Sequence, residues 1–304
     1  MKNKKIIIGS RGSKLELIYA ERARTELLKN LEIKSIDIKS ITTTGDTITD
    51  VRLSEHGGKG LFCKKIEQEL LDNNIDIAIY LLKDMPAQET EGLITNCFLE
   101  RNDPREILIS NNSKNFKELK PNAIVGTSSY RREFQLKNLR RDLDYKLIRG
   151  NVDTRIKKLN DNLYDAIILS YAGIKSLGLE EKISQTFLTS EIIPSAGQGV
   201  IALQCKKSEK QIIEILSKVN HQITHNIVKA ERNVLKVLRG DCETAVGAFA
   251  SIDGNKINLE AELFSLDGSK RFYLNSSKHI DQAEELGIEI GKNLKKVSNN
   301  CYKK

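Results

Sequence analysis

Short apolar runs alternate with helical patterns along most of this chain, and that alternation narrows the available folds more than any other feature. Strand-like runs fall at 5–8, 35–41, 75–80, 123–126, 146–148, 165–169 and 200–204. Helical patterns lie between most of them, at 13–30, 61–72, 131–139 and 154–160. Strand and helix in turn argue for parallel sheets joined by crossover helices. Two stretches break the rhythm. Asn102-Asp103-Pro104-Arg105 reads as a crossing between domains, and Ile193-Pro194-Ser195-Ala196-Gly197-Gln198-Gly199 is a glycine-rich turn before another strand. Two breaks bracketing a βα segment suggest an inserted domain, after which the chain returns to complete the first sheet.

The C-terminal part reads differently. Residues 223–239 carry apolar side chains at Ile227, Ala230, Val234, Val237 and Leu238, a helical stripe that Gly240 is suited to end in a left-handed cap. Runs at 245–252, 257–263 and 271–274 alternate as antiparallel strands do, with Asp253-Gly254 and Asp267-Gly268 at the turns. A closing helix over about 281–296 completes the unit. The expected fold class is α/β: two lobes with mixed sheets, resembling the periplasmic-binding-protein architecture, plus a small α+β C-terminal domain. Ligands of that architecture lie in the cleft between lobes. The expected division is 1–100 with 200–218 as a discontinuous first lobe, 101–199 as an inserted second lobe, and 219–304 as a third domain.

Composition bounds the function. With 304 residues, 39% hydrophobic and 30% charged, the chain is an ordinary globular protein with length for about two or three domains. A net charge of +8 invites a nucleic-acid reading, yet aromatics stand at 5% and tryptophan is absent, leaving little on which to stack bases. The N-terminus has only three consecutive isoleucines before Gly9, too few for a secretory signal, and no run approaches a membrane span. A cytoplasmic protein that binds neither nucleic acid nor membrane is expected, and a monomer. The five cysteines form no CxxC pair.

Three turns carry the chemistry. Gly9-Ser10-Arg11-Gly12-Ser13, Gly126-Thr127-Ser128-Ser129-Tyr130-Arg131-Arg132 and Arg149-Gly150-Asn151-Val152-Asp153-Thr154-Arg155 each follow a strand-like run and open a helical pattern. Strand-to-helix turns at the carboxyl edge of such sheets face the ligand crevice. Helix-start N–H groups, hydroxyls and guanidinium forks all favour an oxyanion. Three such turns imply a ligand with several carboxylates or phosphates. Lys83-Asp84-Met85-Pro86 follows an apolar run and points to the same edge. Aspartate often merely starts a turn, but among arginines it would be the one negative group able to stabilise a cation. His56-Gly57-Gly58-Lys59-Gly60 does not fit the P-loop spacing; it reads as a mobile loop from which Lys59 could reach a bound anion. His221 and His225 stand at i and i+4, but Gln222 replaces the glutamate of the zinc hydrolase motif, and no metal is expected. Cys242 sits on a loop after the 223–239 helix, with Arg239 favouring its thiolate and the helix C-terminus opposing it.

Taken in order, these segments resemble the porphobilinogen deaminase (hydroxymethylbilane synthase) family. The matching residues are Gly9-Ser10-Arg11-Gly12-Ser13, Gly57-Gly58-Lys59-Gly60-Leu61-Phe62, Leu82-Lys83-Asp84-Met85-Pro86 and Arg101-Asn102-Asp103-Pro104-Arg105. They continue with Val125 to Arg132, Arg149-Gly150-Asn151-Val152 with Thr154-Arg155, Gly197-Gln198-Gly199 and Gly240-Asp241-Cys242. The resemblance covers nearly the whole chain.

That resemblance implies a transferase joining four porphobilinogen molecules head to tail, each losing ammonia, into linear hydroxymethylbilane. It implies a dipyrromethane cofactor held by a thioether to Cys242, with no metal. Arg11, Ser13, Ser129, Arg131, Arg132, Arg149 and Arg155 match the family residues that hold acetate and propionate groups, as guanidinium forks suit. Asp84 matches the family's catalytic acid, Lys83 would hold a substrate carboxylate beside it, and Lys59 would lie on the active-site loop. The chain departs from the pattern in four places: Tyr80-Leu81-Leu82 where many members have His-Ser-Met, Asp153 for a small or neutral residue, Ser176 for an anion-binding arginine, and Asp241 for glycine. The alternative reading is a non-catalytic two-lobed protein that captures a small polyanion.

Overall fold

A computed structural model describes residues 5–30, 35–43, 60–239 and 244–303. The chain begins with β1 (Lys5–Arg11), α1 (Lys14–Asn30), β2 (Ser35–Ile41), α2 (Gly60–Leu71), β3 (Ile77–Leu81) and β4 (Leu93–Phe98). It then leaves this sheet and builds a second one from β5 (Glu106–Ser110), β6 (Ile124–Gly126), α3 (Tyr130–Leu139), β7 (Asp144–Lys146), α4 (Val152–Asn160), β8 (Ala166–Ser170), α5 (Tyr171–Ser176) and β9 (Gln185–Thr186). It returns through β10 (Ile201–Lys206) and α6 (Lys210–Val219).

The two five-stranded sheets share one plan, β2-β1-β3-β10-β4 and β7-β6-β8-β5-β9. In each, a single strand runs against the other four: β10 lies antiparallel to β3 and β4, and β5 to β8 and β9. The alternation pattern alone argues for parallel sheets, and the exceptions have a plain cause. β5 and β10 are the strands that arrive from the opposite lobe along an extended crossing, without a crossover helix to reverse the chain. The mixed sheets of the expected fold class are thus found in both lobes.

The inner strands β3, β5, β8 and β10 are buried on both faces, which is why they are almost wholly apolar. In the first lobe Ile6, Ile8, Ile77 and Leu203 pack under α1 and α6, while Ile66 and Leu70 of α2 cover the other face.

The C-terminal domain consists of α7 (Gln222–Leu238), β11 (Val246–Asp253), β12 (Lys256–Phe264), β13 (Arg271–His279) and α8 (Ala283–Ser298). Its three strands form an antiparallel sheet with the hairpin glycines Gly254 and Gly268 at positive φ, as their turns require. β13 runs five residues beyond the expected 271–274, to His279. The two helices pack so closely that a Cβ on Gly287 would stand 2.2 Å from the Ala230 carbonyl oxygen. α7 ends as Arg239 turns left-handed at φ 50°, a position the sequence assigns to Gly240, which lies outside the described residues. His221 caps α7 by accepting the Thr224 N–H, and His225 stands edge-on to Phe98. No helix among the described residues is long and apolar enough to cross a membrane.

Candidate active site

The polar turns gather at the carboxyl ends of four strands, β1 and β3 in the first lobe and β6 and β7 in the second. β1 ends on Arg11, whose guanidinium lies 4.0 Å over the Phe62 ring and 3.4 Å from the Glu16 carboxylate. Ser13 caps α1, its hydroxyl accepting the Glu16 N–H at 3.3 Å. After β3, residues 82–84 make one tight turn that the Met85 N–H closes by donating to the Leu82 carbonyl at 3.1 Å. This turn presents Lys83 and Asp84 side by side.

In the second lobe Ser129 caps α3 by accepting the Arg132 N–H at 3.3 Å. The next two residues turn inward. Arg131 and Arg132 converge on Glu106, the first residue of β5, with Nη2 atoms 2.6 Å from Oε1 and 2.8 Å from Oε2 respectively. Arg131 also donates to the Ile193 carbonyl at 2.8 Å and Arg132 to the Ile168 carbonyl at 3.2 Å. Burial alone would raise the Glu106 pKa, but Arg132 and Arg131 overcome it and hold the carboxyl at about 2. Sequence reasoning did not single out Glu106. The available signal was a glutamate opening the otherwise apolar run Ile107-Leu108-Ile109.

Arg149 and Arg155 flank a turn that needs glycine. Gly150 sits at φ +111°, and the Arg155 Nε–H donates to its carbonyl at 2.8 Å. Burial lowers the Arg155 pKa to about 10; Arg132 and Arg149 push the same way, and Asp84 opposes them from the other lobe. Burial lowers Arg149 too, reinforced across the cleft by Arg11. Burial takes Lys83 to about 8, opposed by Asp84 and reinforced by Arg132.

These mutual influences bring Arg11, Lys83 and Asp84 of one lobe together with Arg131, Arg132, Arg149 and Arg155 of the other. Arg11, Arg131 and Arg132 have acids beside them in Glu16 and Glu106, yet the assembled groups carry more positive than negative charge, so the donor set fits a polycarboxylate such as a dipyrromethane. Ser13 and Ser129 act on the backbone here, as helix caps. Lys59 and Cys242 lie outside the described residues. Among the described residues no cluster of metal-ligating side chains occurs.

Known proteins bear on this site directly. The family model for the "Porphobilinogen deaminase, dipyromethane cofactor binding domain" matches residues 6–214, and that for the "Porphobilinogen deaminase, C-terminal domain" matches 226–296. The porphobilinogen deaminase of Syntrophomonas wolfei is 41% identical over 94% of this chain and 94% of its own. That of Bacillus cereus strain G9842 is 42% identical over 96% of this chain and 94% of its own. The chain belongs to the porphobilinogen deaminase family. Among solved structures, the periplasmic VFT2 domain of BvgS from Bordetella pertussis aligns at 11% identity and a TM-score of 0.43, over 72% of this chain and 86% of that one. The lobe architecture stands on the strand order rather than on that likeness.

Seen as a porphobilinogen deaminase, the chain accommodates its departures in distinct ways. Ser176 donates to the Ala172 carbonyl at 2.8 Å and meets the Tyr19 hydroxyl at 3.3 Å, so it sits on a seam joining α1 of one lobe to α5 of the other. Asp153 is exposed in the first turn of α4. Tyr80 is buried in the core below the Lys83-Asp84 turn, and its hydroxyl has no hydrogen-bond partner among the described residues. A buried, unpaired hydroxyl costs about 1–3 kcal/mol. Tyr80→Phe is therefore expected to raise the Tm by about 2–4 °C in calorimetry; a lowered Tm would show that the hydroxyl has a partner.

Proposed function

We propose that this chain is a hydroxymethylbilane synthase, joining four porphobilinogen molecules head to tail with loss of one ammonia each. The observation that carries the reading is the two-lobed cluster of cations around Asp84: Arg11 and Lys83 facing Arg149 and Arg155, with Asp84 felt by Lys83 and Arg155 alike. A dipyrromethane, held by a thioether to Cys242, supplies the primer on which the chain of pyrroles is built.

In this reading Arg11, Arg149 and Arg155 bind acetate and propionate groups, and Ser13 and Ser129 fix the helix starts beside them. A guanidinium has five N–H donors, so Arg131 and Arg132 keep donors for a carboxylate beyond those given to Glu106 and the backbone. Lys83 holds a substrate carboxylate next to Asp84, and Lys59 closes on it from the loop. Asp84 accepts the pyrrole N–H and stabilises the positive charge that develops as the substrate's amino group leaves. The boundaries proposed are 1–100 with 200–218, 101–199 and 219–304. We place the enzyme in the cytoplasm as a monomer; the thiols of Cys63, Cys97, Cys205 and Cys301 are unpaired, which suits a reducing compartment.

Intact mass spectrometry tests the reading. The purified protein is expected to weigh more than its amino acids by one dipyrromethane, to colour with acid Ehrlich reagent, and to lose both properties in Cys242→Ala. A bare chain mass, with no linear tetrapyrrole formed from porphobilinogen, would mean a protein that only captures an anion.

A further inference from the structure

We propose that Arg232 is a positioning residue for Asp84, supplied by the C-terminal domain. Arg232 lies on α7, which packs that domain against the first lobe, and only 8% of it is exposed. Its Nη1–H donates to the Met85 carbonyl at 3.1 Å, and its Nη2–H donates to the Pro86 carbonyl. These are the two residues that follow Asp84. From the other side the Cys63 thiol of α2 approaches the carbonyl of Asp84 itself at 4.0 Å.

Three successive carbonyls, those of Asp84, Met85 and Pro86, are thus taken up by side chains from two helices, while the Met85 N–H closes the turn on Leu82. The Asp84 carbonyl lies in the peptide plane that adjoins the Asp84 Cα, and the two held by Arg232 lie in the planes that follow it, so rotation of those planes would shift the end of the turn and carry the Asp84 carboxylate with it. A planar fork spanning two neighbouring carbonyls opposes that rotation in a way a single-point ammonium cannot. The arrangement also comes at an electrostatic cost. Burial lowers the Arg232 pKa to about 10, and both hydrogen bonds go to neutral carbonyls rather than to a carboxylate. A buried cation so placed is better explained by geometry than by net stability. The domain that bears the Cys242 loop therefore also sets the pose of the acid.

The inference rests on the role proposed for Asp84, and its test separates the two. In the full-length holoenzyme, kcat and KM for porphobilinogen, Ehrlich-reactive primer content and hydrogen exchange over residues 82–90 are measured for Arg232→Ala, Arg232→Lys and the control Phe264→Leu. Phe264 contacts Phe134 at the junction of the second lobe and the C-terminal domain, away from the turn. Arg232→Ala is expected to lower kcat by ~10- to 100-fold, as small misplacements of reacting groups do, with KM and primer content kept. Exchange should quicken in 82–90 alone, and millimolar guanidinium should restore part of the rate. Arg232→Lys should fall between the wild type and Arg232→Ala, and it carries the test if the alanine variant does not fold. Unchanged exchange over 82–90 would overturn the inference, as would a kcat loss that tracks primer content or is matched by Phe264→Leu. If the wild type turns over no porphobilinogen, the function fails instead, while the exchange data still decide whether Arg232 holds the turn.

Discussion

Asp84→Ala is expected to fold normally, to retain some dipyrromethane and to elongate about 100- to 1,000-fold more slowly than the wild type, the usual effect of removing one preorganised group from a transition-state charge. The expectation follows from what surrounds the carboxylate. Lys83 is its chain neighbour, Arg155 feels it from the opposite lobe, and Arg132 bears on both of those cations. A site suited to polycarboxylates is hostile to a developing cation, and in the proposed mechanism Asp84 is the acid that offsets that field. Its removal takes away a charge that favours the protonated forms of Lys83 and Arg155: Lys83 keeps only the support of Glu106, and both cations lose protonation more readily. Folding is spared because the turn at 82–84 is held through its backbone. Single-turnover formation of linear tetrapyrrole, scaled to Ehrlich-reactive primer, measures the effect. Elongation at the wild-type rate would remove Asp84 from the mechanism.

The parts of this molecule legible in the sequence are those whose cause is local. Arg11, Ser13, Ser129, Arg149 and Arg155 stand at turns because glycine, hydroxyl and guanidinium occur within a few residues of one another after an apolar run, and β1, β2, β8 and α1 to α4 fall within a few residues of their expected bounds. β7 forms at Asp144–Lys146 rather than 146–148, because its partner β6 pairs Ile124 with Asp144. β4 and β5 escaped notice for opposite reasons: Thr95 and Asn96 interrupt the apolar run of the first, and Glu106 opens the second with a charge. What sequence could not supply is long-range partnership. Glu106 meets Arg131 across 25 positions, and Arg232 meets Met85 across 147, so neither looks like more than a charged residue in its own neighbourhood. The inward turn of Arg131 and Arg132 was hidden for the same reason.

Glu106→Gln should produce the largest loss of stability of any single substitution in the cleft. One fully buried carboxylate neutralises two buried guanidiniums, 2.6 and 2.8 Å away, with Lys83 close enough to favour its ionised form as well. The glutamine amide fills the same space but carries no charge, so the arginines are left buried and repelling one another. Removing one partner from such a cluster costs about 3–5 kcal/mol. The pH dependence has a definite sign. A glutamate in the unfolded chain titrates near ~4.3, whereas native Glu106 is held at about 2 by its arginines. Its contribution is therefore complete above the unfolded value and disappears as pH falls toward the native one. Urea unfolding of the two proteins should differ most at neutral pH, and the curves should draw together as the pH is lowered from about 5 toward about 2. Coincident midpoints at neutral pH would mean that Arg131 and Arg132 find water or another acid once Glu106 is gone, and that the carboxylate orients them without holding the lobe together.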